Sequence, residues 1–169
     1  MNYVFLDTEW ADEAATELVS LGMVTEIGGH EWYGEVDPLP SNPKKFAEEE
    51  VYSLLERGSA AHSLDELAMH AADFLMQIDS PAVLADHAND LRLLMNLLKG
   101  ARWIALKKHG LITTKMLKDA RMRGLTEAWF AQPTAIAHRR HHALNDARAL
   151  RYSWQVVTNR IRASDLNRC

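Results

Sequence analysis

Three places in the 169-residue chain put carboxylates where metal-dependent chemistry would need them. Asp7 and Glu9 close the first apolar run, NYVFLDTEW, in the pattern Asp-x-Glu. Alternate residues of a strand share a face, so the two carboxylates converge on one spot. Close, unpaired carboxylates beside a core repel each other and are costly unless a divalent cation neutralises them. The bland alternative is a solvated pair of acids at a strand end. Asp90 follows a second apolar run in VLADHANDLRLL, either as a ligand or as a plain first-turn helix acid. Asp86 competes with it as the acid nearest the strand end. In HRRHHALNDARAL, His141 and Asp146 are separated by four residues at the start of a last helix, with Arg139 and Arg140 just upstream.

These groups need elements to hold them. Strand patterns are expected at residues 3–6, 18–27 and 30–36, the last two joined by a Gly28-Gly29 turn, and again at 81–85 and 102–106. The proline-rich DPLPSNP at 37–43 reads as a loop, followed by helix over 43–55. Ser63-Leu64-Asp65-Glu66 is a capping box opening a helix to about residue 78, with Leu67, Ala71, Phe74 and Leu75 on one face. Further helices are expected from Leu91 to a stop at Gly100, over 113–130 and over 143–161. Three meander strands followed by alternating helices and strands predict a three-layer α/β fold with a mixed five-stranded central sheet.

Composition sets the outer bounds. A chain of 169 residues reads as one domain, 1–169, and with 47% hydrophobic and 25% charged residues it has globular composition. Such a chain buries roughly 70% of its unfolded surface and needs no disulfide or metal staple. No apolar run reaches the ~20 residues of a membrane span. The opening MNYVFLDTEW lacks a basic n-region and is not expected to be a signal peptide. A single cysteine, Cys169, excludes a disulfide framework or multi-cysteine zinc site, and the expected compartment is the reducing cytoplasm. The net charge of -4 hides an asymmetry: residues 1–90 carry 19 of the 23 acids and three basic residues, whereas 91–169 carry four acids and 16 Lys and Arg. That separation suits metal ions on one side and phosphates on the other, or simply two halves that pair across a fold.

Taken together, FLDTEW, VLADHANDLRLL and HHALNDARAL occur in an order and spacing that resembles the DEDDh branch of the DnaQ-like 3′–5′ exonucleases, over nearly the whole chain. The resemblance implies an RNase H-like fold, metal ligands at Asp7, Glu9, Asp90 and Asp146, and His141 as general base. Within that superfamily, DTEW followed by TELVSLGMV is most similar to the RNase AS type of bacterial exoribonuclease, Glu17, Leu18, Ser20, Leu21 and Gly22 filling its second-strand pattern. Two departures stand out: Trp10 where phenylalanine is expected, and Asp86 where many DEDDh enzymes carry asparagine.

The implied chemistry is hydrolysis of a phosphodiester from the 3′ end of single-stranded RNA, releasing nucleoside 5′-monophosphates. Two Mg²⁺ or Mn²⁺ ions would activate water and stabilise the leaving oxygen, and hard cations of this kind prefer carboxylate oxygens. His141 would accept the water's proton. Thr8 belongs with the expected substrate contacts. Trp10 either stacks on the terminal base or packs in the core, and His87 either touches sugar or phosphate or is a surface histidine. Arg139, Arg140 and Arg148 either bind phosphate or are solvated. Single-stranded DNA is the alternative substrate, and a non-catalytic nucleic-acid-binding relative the alternative role. RNase AS-type relatives favour adenylate-rich RNA and are dimers, so a homodimer is expected.

Overall fold

The computed structural model describes residues 2–27, 29–115, 120–134 and 139–160. The chain forms β1 (Asn2–Trp10), β2 (Leu18–Thr25) and β3 (Glu31–Val36), then β4 (Ala61–His62), α1 (Leu64–Met76) and β5 (Pro81–Ala85). It continues through α2 (Ala88–Leu97), α3 (Ala101–Lys108), β6 (Ile112–Lys115), α4 (Ala120–Phe130) and α5 (Ala143–Val157). One mixed sheet results, in the order β4-β3-β2-β1-β5-β6. The meander β1-β2-β3 is antiparallel, while β5 runs parallel to β1, and β6 to β5.

Period-two alternation decides what each face holds. Val4 and Leu6 of β1 bury against Leu67, Phe74 and Leu75 of α1 and Leu93 and Leu94 of α2. Phe5, one step out of phase, buries against Leu84, Met122, Ala147 and Leu150 on the α4–α5 side. Continuing that alternation past Phe5 sends Asp7 and Glu9 toward α5 and Thr8 toward α2. The β1-β5 register pairs Phe5 with Leu84, so the carboxyl ends of two parallel strands lie side by side. In open α/β sheets this edge is the usual place for a site.

The helix at 63–78 is present with its capping box intact: Ser63 accepts from the Glu66 backbone N–H, and Glu66 accepts from that of Ser63. The expected five-strand sheet is corrected to six. Ala61–His62 adds a two-residue edge strand parallel to β3. The run at 102–106, expected as a strand, is helical and lies in α3. Its helix signals sit at the far end, in KKHG. Gly110 at φ 97° closes a Schellman motif, with Gly110 N–H donating to Lys107 O and Leu111 N–H to Leu106 O. The chain then enters β6 at Ile112, so the helix expected over 113–130 is displaced to α4, with residues 116–119 outside the described part. Residues 47–54 form short irregular helical turns in place of a continuous helix. Gly28, Ile161 and Cys169 also lie outside the described residues. Among the described residues, no helix is long and apolar enough to cross a membrane.

Candidate metal centre

Five carboxylates meet at the carboxyl ends of β1 and β5. Asp7, Glu9 and Asp146 bring one oxygen each to within 4.8 Å of one another, and Asp7, Asp86 and Asp90 do the same. Asp7 belongs to both groups. Of the residues predicted as ligands, all four are therefore brought together. Asp86, read from the sequence as a competitor of Asp90, joins them, so the two acids are companions.

Each carboxylate has an identifiable positioner. Asp146 sits in the first turn of α5, and α5 approaches the sheet because β2 carries Gly22 opposite Asp7. A methyl group on Gly22 would lie 2.6 Å from the carbonyl carbon of Ala143 and nearer still to the Leu144 backbone. Asp90 is 1% exposed, and Thr8 donates its hydroxyl to Asp90 Oδ1 at 2.7 Å. Thr8, expected to touch substrate, is itself 2% exposed and committed to orienting Asp90. The other oxygen of Asp90, and Oδ2 of Asp146, are buried with no hydrogen-bond partner. Buried carboxylate oxygens without partners are uncommon in native proteins. Their environment here is acidic, so a divalent cation is the group that fits.

The electrostatics agree. Burial, then repulsion from Asp146, Asp90, Glu9 and Asp86, pushes Asp7 well above the carboxylate range. Glu9 is raised to about 9, chiefly by burial and then by Asp146 and Asp90, with Lys44 opposing. Burial raises Asp90 and Asp146 to about 7, against hydrogen bonds from Thr8 and from the backbone of His141 respectively. Bound cations would reverse all four shifts by favouring the charged forms.

Around the carboxylates runs an aromatic and basic rim. Trp10 lies 5.9 Å from the His87 ring, and Lys44 Nζ stands 5.6 Å from Trp10 and 5.5 Å from Phe46. Phe46 in turn meets His141 edge-on at 4.9 Å. His141 occupies a left-handed conformation, φ 68°, two residues before α5 begins. Burial and Arg140 lower its pKa, partly opposed by Glu50. Lys44 and Phe46 escaped the sequence reading. The available signal was a lysine-aromatic SNPKKF in a half of the chain with only three basic residues.

The three arginines are each engaged with groups of the chain, Arg140 while still near enough to act on His141 and Asp146. Arg139 binds Leu54 O at 2.6 Å and Glu56 at 3.2 Å, Arg140 forks onto Glu127 at 2.7 and 3.0 Å, and Arg148 engages Glu31 and Asn145. Arg139 with Glu56, Arg148 with Glu31 and Arg160 with Glu26 join the basic half to the acidic half. Three ion pairs thus tie the two oppositely charged halves together.

A buried network props this end of the sheet. Glu35, 0% exposed, accepts the backbone N–H groups of Glu56 and Arg57 at 2.5 and 3.0 Å and the Tyr33 hydroxyl at 2.9 Å. Tyr33 stacks on buried His142 at 4.3 Å, and His142 Nε2 lies 3.2 Å from Glu56. The residue after His141 is thereby tied to β3 and to the chain at 54–57. No protein-family model matches the chain, and no curated protein matches it.

Proposed function

We propose that the protein is a divalent-metal-dependent 3′–5′ exonuclease of the DEDDh type acting on single-stranded RNA. The observation that carries this reading is the convergence of Asp7, Glu9, Asp90 and Asp146, from three distant sequence motifs, with two buried carboxylate oxygens left unpartnered. The antiparallel meander continued by parallel β5 and β6, with α5 packed across it, supports an RNase H-like arrangement. RNA as the substrate, and a homodimer as the working state, rest on the resemblance of DTEW and TELVSLGMV to RNase AS-type enzymes.

Asp7, Glu9 and Asp146 would hold one Mg²⁺ or Mn²⁺, and Asp7 with Asp90 would hold a second. The cations would supply Lewis-acid activation of water and stabilisation of the leaving alkoxide. His141, with its pKa lowered by burial, is neutral at pH 7 and able to accept the water's proton on a ring nitrogen. The water oxygen would bond to phosphorus as the bond from phosphorus to the 3′ oxygen of the preceding nucleotide breaks; that oxygen would take up a proton as the strand's new 3′ hydroxyl, and a nucleoside 5′-monophosphate would be released. Trp10 and Phe46 offer ring faces to the terminal base, and Lys44 offers charge to the phosphate.

The test is a time course on matched 5′-labelled RNA and DNA oligonucleotides with Mn²⁺, Mg²⁺ or EDTA, beside Asp7→Ala. Shortening from the 3′ end on RNA, abolished by EDTA and in the variant, is the expected result. A faster ladder on DNA would keep the mechanism and move the substrate. No ladder on either would overturn the reading.

A further inference from the structure

We infer that Asp86 is a cation ligand which, with Asp7 and Asp90, builds a second metal position complete without any oxygen from nucleic acid. The cation's role rests on the metal-dependent reading above, but its binding can be measured separately.

The geometry begins with strand register. β1 and β5 run parallel with Phe5 beside Leu84, and both side chains bury in the same α5-side cluster. Two residues beyond this last pair stand Asp7 on β1 and Asp86 just past the end of β5, so continuing the register brings these acids to the same edge of the sheet. His87 caps α2 through Nδ1, which accepts the Asn89 backbone N–H at 3.2 Å. That leaves Asp86 outside the helix, with no capping duty. Asp90, in the first turn of the same helix, reaches the same place. The result is the Asp7–Asp86–Asp90 triad, with its oxygens within 4.8 Å of one another.

An independent observation points to a ligand at this triad. Asp90 is 1% exposed, one of its oxygens is taken by Thr8, and the other is buried with no partner. A native fold does not leave such an atom unsatisfied without cause. Among the described residues no lysine or arginine forms an ion pair with Asp7, Asp86 or Asp90. Asp86 itself is exposed, which gives a solvated ion a route in. Three carboxylate oxygens suit a hard divalent ion that keeps several waters, as Mg²⁺ does and Mn²⁺ tolerates. A site with only Asp7 and Asp90 would supply fewer charges and would depend on substrate phosphate to fill it. Asp86 removes that dependence.

The experiment counts Mn²⁺ on metal-stripped protein without nucleic acid, by calorimetric titration and by the free-ion EPR signal. Wild type should bind two ions per chain. Asp86→Asn should bind one, with its thermal midpoint in EDTA no lower than that of wild type, because the side chain is exposed and its loss relieves repulsion on Asp7 and Asp90. Glu9→Gln should also retain one ion, and Glu9→Gln combined with Asp86→Asn should hold none tightly. Equal stoichiometry in wild type and Asp86→Asn, whether one or two, would overturn the role of Asp86 and leave the nuclease reading standing. No binding in wild type would overturn both.

Discussion

Gly22 is the position where one added methyl group should separate fold from chemistry. It lies on β2, paired with Asp7, directly under the first turn of α5. An alanine Cβ would sit 2.6 Å from Ala143 C and closer to the Leu144 backbone, about 1 Å short of ordinary carbon contact. The obstruction is backbone, so no rotamer change relieves it. The helix start must lift by about that 1 Å, and Asp146 rides on it. Overpacking of this kind costs about 1–3 kcal/mol, offset by roughly 0.5–1 kcal/mol because alanine loses less chain entropy than glycine in a strand. A net loss of about 1–2 kcal/mol should appear in urea denaturation with an unchanged slope. Turnover should fall more than stability does, by about 10²-fold, because a 1 Å misplacement of a catalytic group has that effect. Gly34→Ala is the control: its methyl would meet the Leu67 and Trp32 side chains at 2.6 and 2.9 Å, on β3. It should destabilise the fold without lowering turnover by the folded protein. If Gly22→Ala kept wild-type stability and turnover, the argument that Gly22 seats Asp146 would be refuted.

Three further outcomes can be checked. Glu35→Ala strands two backbone N–H groups and part of the Arg57 charge, at a cost of about 3 kcal/mol, the low end because Arg57 retains Asp37; the thermal midpoint should drop by about 6–12 °C. Without divalent ions, the native state binds more protons than the unfolded chain between the ordinary carboxylate range and the raised values of about 7 for Asp90 and Asp146 and about 9 for Glu9. Stability should therefore fall as pH rises through that window, and saturating Mn²⁺ should flatten the fall; a metal-free protein more stable at pH 8 than at pH 5 would contradict it. His141→Ala should slow hydrolysis by about 10²–10⁴-fold while Mn²⁺ titration is unchanged, and an unaltered rate would assign the proton transfer to another group.

The site was more legible in the sequence than the elements around it. Acidic residues that interrupt apolar runs, as at Asp7, Glu9 and Asp146, violate the local pattern, and such violations concentrate where function overrides packing. The run at 102–106 misled for the opposite reason. Five residues of mixed apolar character fit a short strand or one side of a helix equally well, and the decisive signal lay just beyond, in Lys107, Lys108 and Gly110. The two-residue strand at Ala61–His62 has no sequence signature at all, since β3 supplies its partner.

Sequence alone determined which acidic residues interrupt apolar runs, the meander at the start, the capped helix at Ser63 and the order of the three motifs. Those features are local, written in periodicity and in residue type. Tertiary structure alone decided that Asp86 joins Asp90 at Asp7, that Thr8 turns inward to hold a carboxylate, and that Arg139, Arg140 and Arg148 bind acids of the chain. It also placed Lys44 and Phe46 between Trp10 and His141. Each of these depends on which strand lies beside which, and in what register. Pairings between residues 80 or more positions apart, such as Thr8 with Asp90 and Arg148 with Glu31, are fixed only when the sheet closes and the helices settle on it.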